Sequence, residues 1–227
     1  MVLDIYIGDV SELLNDEKVY ESYLSELSEE RKNKLKKIKS HSGRCRSAGV
    51  GVLLDEALKK YGFREKDMTY GYGEVGKPYF KEAPELYFNL SHSGCKVMCV
   101  LGSIPVGCDI EYIKKANAGI AKRFFSAKDN ELLEEASEYG EQKYRECFYR
   151  LWTLKESYIK CTGQGLKCPM DSFSFVYEDE RYHIAGNEDF SFLSDIEILE
   201  DGREEYAYAV CAKKKESPDI NIHRIML

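Results

Sequence analysis

Gln142–Thr162 reads QKYRECFYRLWTLKESYIKCT, and its spacing predicts one long helix. At about 100° per residue, Tyr144, Phe148, Leu151, Trp152, Tyr158 and Ile159 fall on one face. Lys155 projects from the centre of that apolar face, with Glu156 at its edge and Lys160 just beyond. An ammonium on the buried side of a helix is costly unless an anion meets it. Either a protein carboxylate pairs with Lys155, or the anion arrives with a ligand.

Turn residues and apolar periodicity set the organisation around this helix. Before it, Ile120–Phe125 is a short helical piece, and Ser126 with Asp129 forms a capping-box-like start for another helix. After it, strands are predicted at Ser172–Tyr177, Arg181–Ala185, Phe190–Leu199, Glu204–Ala212 and Asp219–Ile225. At the amino end Val2–Gly8 is strand-like, Asp16–Lys39 is helical with a break, and Arg44–Tyr61 is a helix ended by Gly62. Short strands follow around Met68–Tyr72, Pro78–Phe80, Leu86–Leu90, Lys96–Leu101 and Pro105–Tyr112. This order predicts an α/β protein of the α+β kind: a pseudo-twofold arrangement of two similar halves, 1–104 and 105–227, with the active site between them.

Composition narrows the function classes. With 227 residues, 43% of them hydrophobic and 32% charged, the chain is an ordinary globular protein with a sizeable core. A net charge of −7 argues against nucleic acid as a partner. No apolar run reaches membrane-spanning length, and the strand-like opening is not a signal peptide. Eight cysteines without a CxxC pair are expected to be reduced thiols of a cytoplasmic protein. His92, Cys95 and Cys99 lack a fourth partner for zinc. Gly71–Gly76 matches G-x-G-x-x-G, but Pro78 leads into an extended segment where a dinucleotide site requires a helix.

A second anomaly lies in Val106-Gly-Cys-Asp-Ile-Glu-Tyr112. On a strand Asp109 and Glu111 share one face, while Val106, Cys108 and Ile110 share the other. Two such carboxylates suit a hard divalent cation held together with phosphate oxygens, although they also suit a solvated strand face. Glu156 offers a third carboxylate, and Lys155 and Lys160 offer charge for an anionic substrate. Glu156 and Lys160 alone are equally well explained as a surface i,i+4 pair. Arg31–Lys39 is dense in cations, Arg44, Arg46 and Ser47 follow at a helix start, and Asn89–Ser93 is a polar turn able to bind phosphate.

Taken together these segments resemble the 4′-phosphopantetheinyl transferase family of the Sfp type. Gly76-Lys77-Pro78 matches its G-K-P, Phe88–Ser93 its F-N-x-S-H-S, Gly107–Glu111 its G-x-D-x-E, and Trp152–Lys160 its W-x-x-K-E-x-x-x-K. Ala121–Ser126 resembles the segment between the last two. The resemblance implies transfer of 4′-phosphopantetheine from coenzyme A to a serine of an apo acyl or peptidyl carrier protein, releasing 3′,5′-ADP. It implies Mg²⁺ held by Asp109, Glu111 and Glu156, and Lys155 and Lys160 serving the pyrophosphate and leaving group, with Glu156 as metal ligand, base or both. Lys77 and Pro78 would line the adenine, and Ser91 and His92 would contact phosphate. Arg46, Ser47 and Lys36 would hold the 3′-phosphate. On this reading the anion meeting Lys155 is the pyrophosphate, and without ligand Lys155 borrows Glu111 or Asp109. The amino-terminal half would be the nucleotide side, and Tyr112–Phe125 the carrier contact of a monomeric enzyme. A non-catalytic coenzyme A or carrier-binding protein, or a Mg²⁺-dependent phosphoanhydride hydrolase, would use similar residues.

Overall fold

The structure, a computed structural model, describes residues 2–198, 205–214 and 218–227. The chain divides into two units, Met1–Ser103 with Asp219–Leu227, and Ile104–Pro218. Each contains a long helix packed on a mostly antiparallel sheet.

The first unit opens with β1 (Val2–Asp9), buried from Leu3 onward. Four helices follow, α1 (Ser11–Asn15), α2 (Glu17–Leu24), α3 (Glu29–Lys36) and α4 (His41–Lys59). The helical stretch expected at Asp16–Lys39 is thus α2 and α3. Asp16 caps one by accepting from the Lys18 backbone N–H, and Ser28 caps the other by accepting from Arg31. α4 begins at His41 rather than Arg44 because the Ser40 hydroxyl accepts from Gly43 N–H. The Arg31 guanidinium donates to buried Glu65 at 3.1 Å and to Tyr70, anchoring the basic helix α3.

β2 (Tyr70–Tyr72) and β3 (Pro78–Phe80) pair antiparallel, so the Gly71–Gly76 segment leads from strand to strand and opens no helix. β4 (Tyr87–Ser93) and β5 (Lys96–Gly102) form the next hairpin, with Phe88 opposite Leu101 and His92 opposite Val97. Leu53, Leu54 and Ala57 of α4 pack with Phe88, Val97 and Leu101 in this unit's core.

The second unit comprises β6 (Val106–Tyr112), α5 (Ala118–Phe124), α6 (Ala127–Glu138), α7 (Glu141–Thr162), β7 (Phe175–Glu178), β8 (Arg181–Ile184), β9 (Ser191–Ile198) and β10 (Glu205–Ala212). The expected strand ends Leu199 and Glu204 lie outside the described residues. Its sheet runs β6-β10-β9, antiparallel throughout, beside a β7-β8 hairpin. α7 ends at Gly163, whose φ of 67° is left-handed and whose N–H returns to Ile159 O. Phe148, Leu151 and Leu154 of α7 pack with Ala207 and Ala209 of β10 and with Phe125 and Phe175.

β11 (Asp219–Met226) then pairs in parallel with β1, giving the first unit's sheet the order β11-β1-β5-β4. This corrects the expected division at 105–227: the final strand belongs with the amino-terminal segment. β1 has one edge left after pairing with β5, and β11 covers it while placing Ile225 and Leu227 against the core. The eight cysteines form no disulfide among the described residues, and no described helix is long and apolar enough to cross a membrane.

Candidate active site

α7 lies closer to β6 than side chains ordinarily permit, and Gly107 is the cause. A Cβ there would stand 2.1 Å from Ser157 O and 2.4 Å from Cys161 N. The helix meets this gap with Thr153, Ser157 and Cys161, small residues four apart and all buried. Ala207 and Ala209, opposite Glu111 and Asp109 on β10, extend the same low surface.

Alternation along β6 places Asp109 and Glu111 on the face that Gly107 turns toward α7. Val106, Cys108 and Ile110 occupy the other face and are wholly buried. Lys160 Nζ reaches Asp109 Oδ1 at 2.7 Å. Burial pushes the Lys160 ammonium down, but the charge and hydrogen bond of Asp109, with the Cys108 and Glu156 charges, together outweigh it and hold the group above its ordinary value. The Glu156 carboxyl is raised, first by burial and then by Asp109, with Lys160 opposing. The Glu111 charge acts on the Tyr149 hydroxyl, an earlier turn of α7. Buried Asp109 and half-buried Glu156, which repel one another, with half-buried Glu111 on the same strand face as Asp109, fit a hard divalent cation. Among the described residues no group of three or more acid, His or Cys side chains stands assembled as a metal cluster.

Lys155 differs from its expected role. It is wholly buried, its Nζ 2.7 Å from Asp129 Oδ2, and it donates to Met170 O at 2.8 Å and Phe173 O at 2.6 Å. These three acceptors use all the donors an ammonium has. The Phe173 ring lies 4.3 Å away, with Phe125 and Phe175 farther out. Burial lowers the Lys155 pKa against the pull of Asp129. The anion that meets Lys155 is therefore a protein carboxylate, and it is neither Asp109 nor Glu111.

The candidates of the first unit fall into separate places. His92 shares a face of β4 with Phe88, the α4 side, and stands at its exposed end. Arg46 on α4 donates to Gly94 O at 3.4 Å, in the turn just beyond His92, so these two occupy one corner. Ser91 is buried and points to the opposite face of β4. Ser47 is buried within α4, whereas Lys36 is exposed on α3 with its Nζ on Asn33 Oδ1 at 3.1 Å. Lys77 and Pro78 are half-buried at the start of β3.

Sequence reasoning missed Gly107 and Asp129 as site-building residues. The helical position i+4 repeat of Thr153, Ser157 and Cys161 signals a close approach, but the eye is drawn to the aromatic stripe instead. Asp129 stands out only as a cap, and nothing in its spacing points to Lys155.

A family model described as the 4′-phosphopantetheinyl transferase superfamily matches residues 105–211. A 4′-phosphopantetheinyl transferase of Bacillus subtilis is 37% identical over 72% of this chain and 71% of its own length. The 4′-phosphopantetheinyl transferase Sfp of Bacillus subtilis (strain 168) is 34% identical over 88% of each chain. The 4′-phosphopantetheinyl transferase ffp of Bacillus subtilis is 34% identical over 86% of each.

Proposed function

The chain belongs to the 4′-phosphopantetheinyl transferase superfamily, enzymes that move phosphopantetheine from coenzyme A to carrier proteins, and on that premise we propose how its residues perform the transfer. The observation that carries the proposal is the meeting of Asp109 with Glu156 and Lys160 across the β6–α7 contact. Mg²⁺ is assigned to Asp109, Glu111 and Glu156, and when bound it supplies the positive charge that the pyrophosphate oxygens need. Lys160 exchanges its hold on Asp109 for the pyrophosphate and steadies the negative charge that develops on departing 3′,5′-ADP. Glu156, its proton affinity raised, takes the proton from the carrier serine. The serine oxygen bonds to the β-phosphorus as the bond to the bridging oxygen breaks, and that electron pair leaves with 3′,5′-ADP. Lys155 has no part in these contacts.

Arg46 and His92, gathered at one corner, support a 3′-phosphate contact there, with Lys36 as an exposed supplement. Lys77 and Pro78 are assigned to the adenine. The buried hydroxyls of Ser47 and Ser91 give weaker support to direct contact. Carrier docking is assigned to the segment ending in α5, where exposed Lys122 and Arg123 offer cations on an otherwise acidic chain, and the Arg123 guanidinium lies 5.2 Å over the Phe124 ring. A monomer working in the cytoplasm is part of the same proposal.

Incubation with coenzyme A, Mg²⁺ and an apo acyl or peptidyl carrier should add the mass of phosphopantetheine to the carrier. No gain across several carrier types refutes the reading. Release of 3′,5′-ADP without carrier would identify a phosphoanhydride hydrolase, and coenzyme A binding without turnover a binding protein. Asp109→Ala should abolish transfer in a folded protein.

A further inference from the structure

We propose that Lys155 and Asp129 form a buried lock that sets the rotation of α7, and that the pair positions Glu156 without touching substrate. This rests on the transferase reading for what Glu156 does, but the lock itself is a property of the second unit. Asp129 accepts from Ser126 N at 2.9 Å and Ser126 Oγ at 2.5 Å, from Lys155, and from Phe175 N at 3.2 Å. Ser126 Oγ lies 2.8 Å from Ser174 Oγ. The start of α6, the middle of α7 and the backbone from Met170 to Phe175 are thereby joined through one ion pair.

The need for such a lock follows from the other side of the helix. Thr153, Ser157 and Cys161 form a stripe of small residues on α7, and Ser157 and Cys161 meet Gly107 there, a surface low enough for close approach and correspondingly poor in interdigitating side chains. Glu156 is the neighbour of Lys155, about 100° around the axis. Turning α7 by about 10° would carry a carboxylate some 6 Å off the axis by about 1 Å, a displacement that costs on the order of 100-fold in rate. A buried ion pair is a poor source of net stability compared with apolar packing of equal volume, but it tolerates only one geometry. Both properties suit a positioning device.

The test uses Lys155→Met, Asp129→Asn and the apolar double variant Lys155→Met with Asp129→Leu. Each single variant should lower kcat about 10- to 100-fold and raise the Mg²⁺ concentration for half-maximal activity similarly, as loss of a group that orients a metal ligand does. The Kd for coenzyme A, measured by calorimetry without metal, should stay native in both. Thermal melting of the singles and the double should be non-additive, because the residues act as a unit. Weaker coenzyme A binding in Lys155→Met but not in Asp129→Asn would show that Lys155 grips the ligand and overturn the proposal. Native kcat and native Mg²⁺ dependence in the single variants would overturn it equally. If Lys155→Met does not fold, Asp129→Asn decides, since its amide oxygen can still accept from Phe175 N–H while its NH2 donates to Ser126 Oγ. A native protein that transfers nothing removes the transferase reading alone, whereas additive melting shifts remove the lock.

Discussion

Replacing Gly107 by alanine tests whether the helix–strand approach builds the site. The new methyl would point at the hydrogen-bonded pair Ser157 O and Cys161 N, 2.1 Å and 2.4 Å from the two atoms. An ordinary carbon–oxygen contact needs about 3.4 Å, so α7 must retreat by roughly 1.3 Å. Overpacking of this kind costs about 1–3 kcal/mol, which for a chain of this size lowers Tm by about 2–12 °C. The rate should suffer more than the stability. Lys160 Nζ and Asp109 Oδ1 now stand 2.7 Å apart, and a shift of about 1 Å between reacting groups removes about 100-fold in kcat/KM. Carrier loading followed by intact mass at fixed times gives the rate, and circular dichroism gives the melt. Native kcat/KM together with a native Tm would refute the argument.

Three further outcomes follow from the geometry. Lys160→Met should leave the fold intact and lower kcat by about 10²–10³-fold, read by chromatographic release of 3′,5′-ADP; a loss under tenfold would exclude leaving-group stabilisation. Asp4 is pushed up by burial, but hydrogen bonds from Lys60, Tyr61 and Asn221 outweigh that and hold it below its ordinary pKa. A depressed carboxylate contributes stability above its unfolded pKa and loses it as pH falls through the folded value. Asp4→Asn should therefore cost about 1–3 kcal/mol at neutral pH, with the gap closing below about pH 4 in urea titrations; a gap independent of pH would sink this account. Leu227→Ala, at a buried site against Gly8, should cost about 2–3 kcal/mol by urea unfolding, and an unchanged midpoint would mean that β11 does not close that core.

Much of this protein is legible in its residues, and the limits are instructive. Alternation in Val106–Tyr112 sorts Asp109 and Glu111 from Val106 and Ile110, and the strand bears this out: one face meets a helix and the other is wholly buried. Helical spacing identifies Lys155 as a buried charge, since burial is a property of the local pattern. It does not identify Asp129 as the partner, because an ion pair between two helices depends on how they pack. The capping residue Ser28 and the break before it are local, but the pairing of β11 with β1 is not: a strand's neighbours are set by which edge remains open. The buried hydroxyls of Ser47 and Ser91 show the same limit for motifs. A motif places a residue on an element, and the packing of that element decides which way it faces.

The return of β11 to β1 also governs the order in which the molecule can be completed. β1 leaves the ribosome some 210 residues before its outer partner, an interval of about 10–40 s at ordinary synthesis rates. During that interval the β1 edge, rich in Ile5, Tyr6 and Ile7, offers unsatisfied amides to any extended segment nearby. Asp4 places a charge on that strand, and charged residues discourage such pairing.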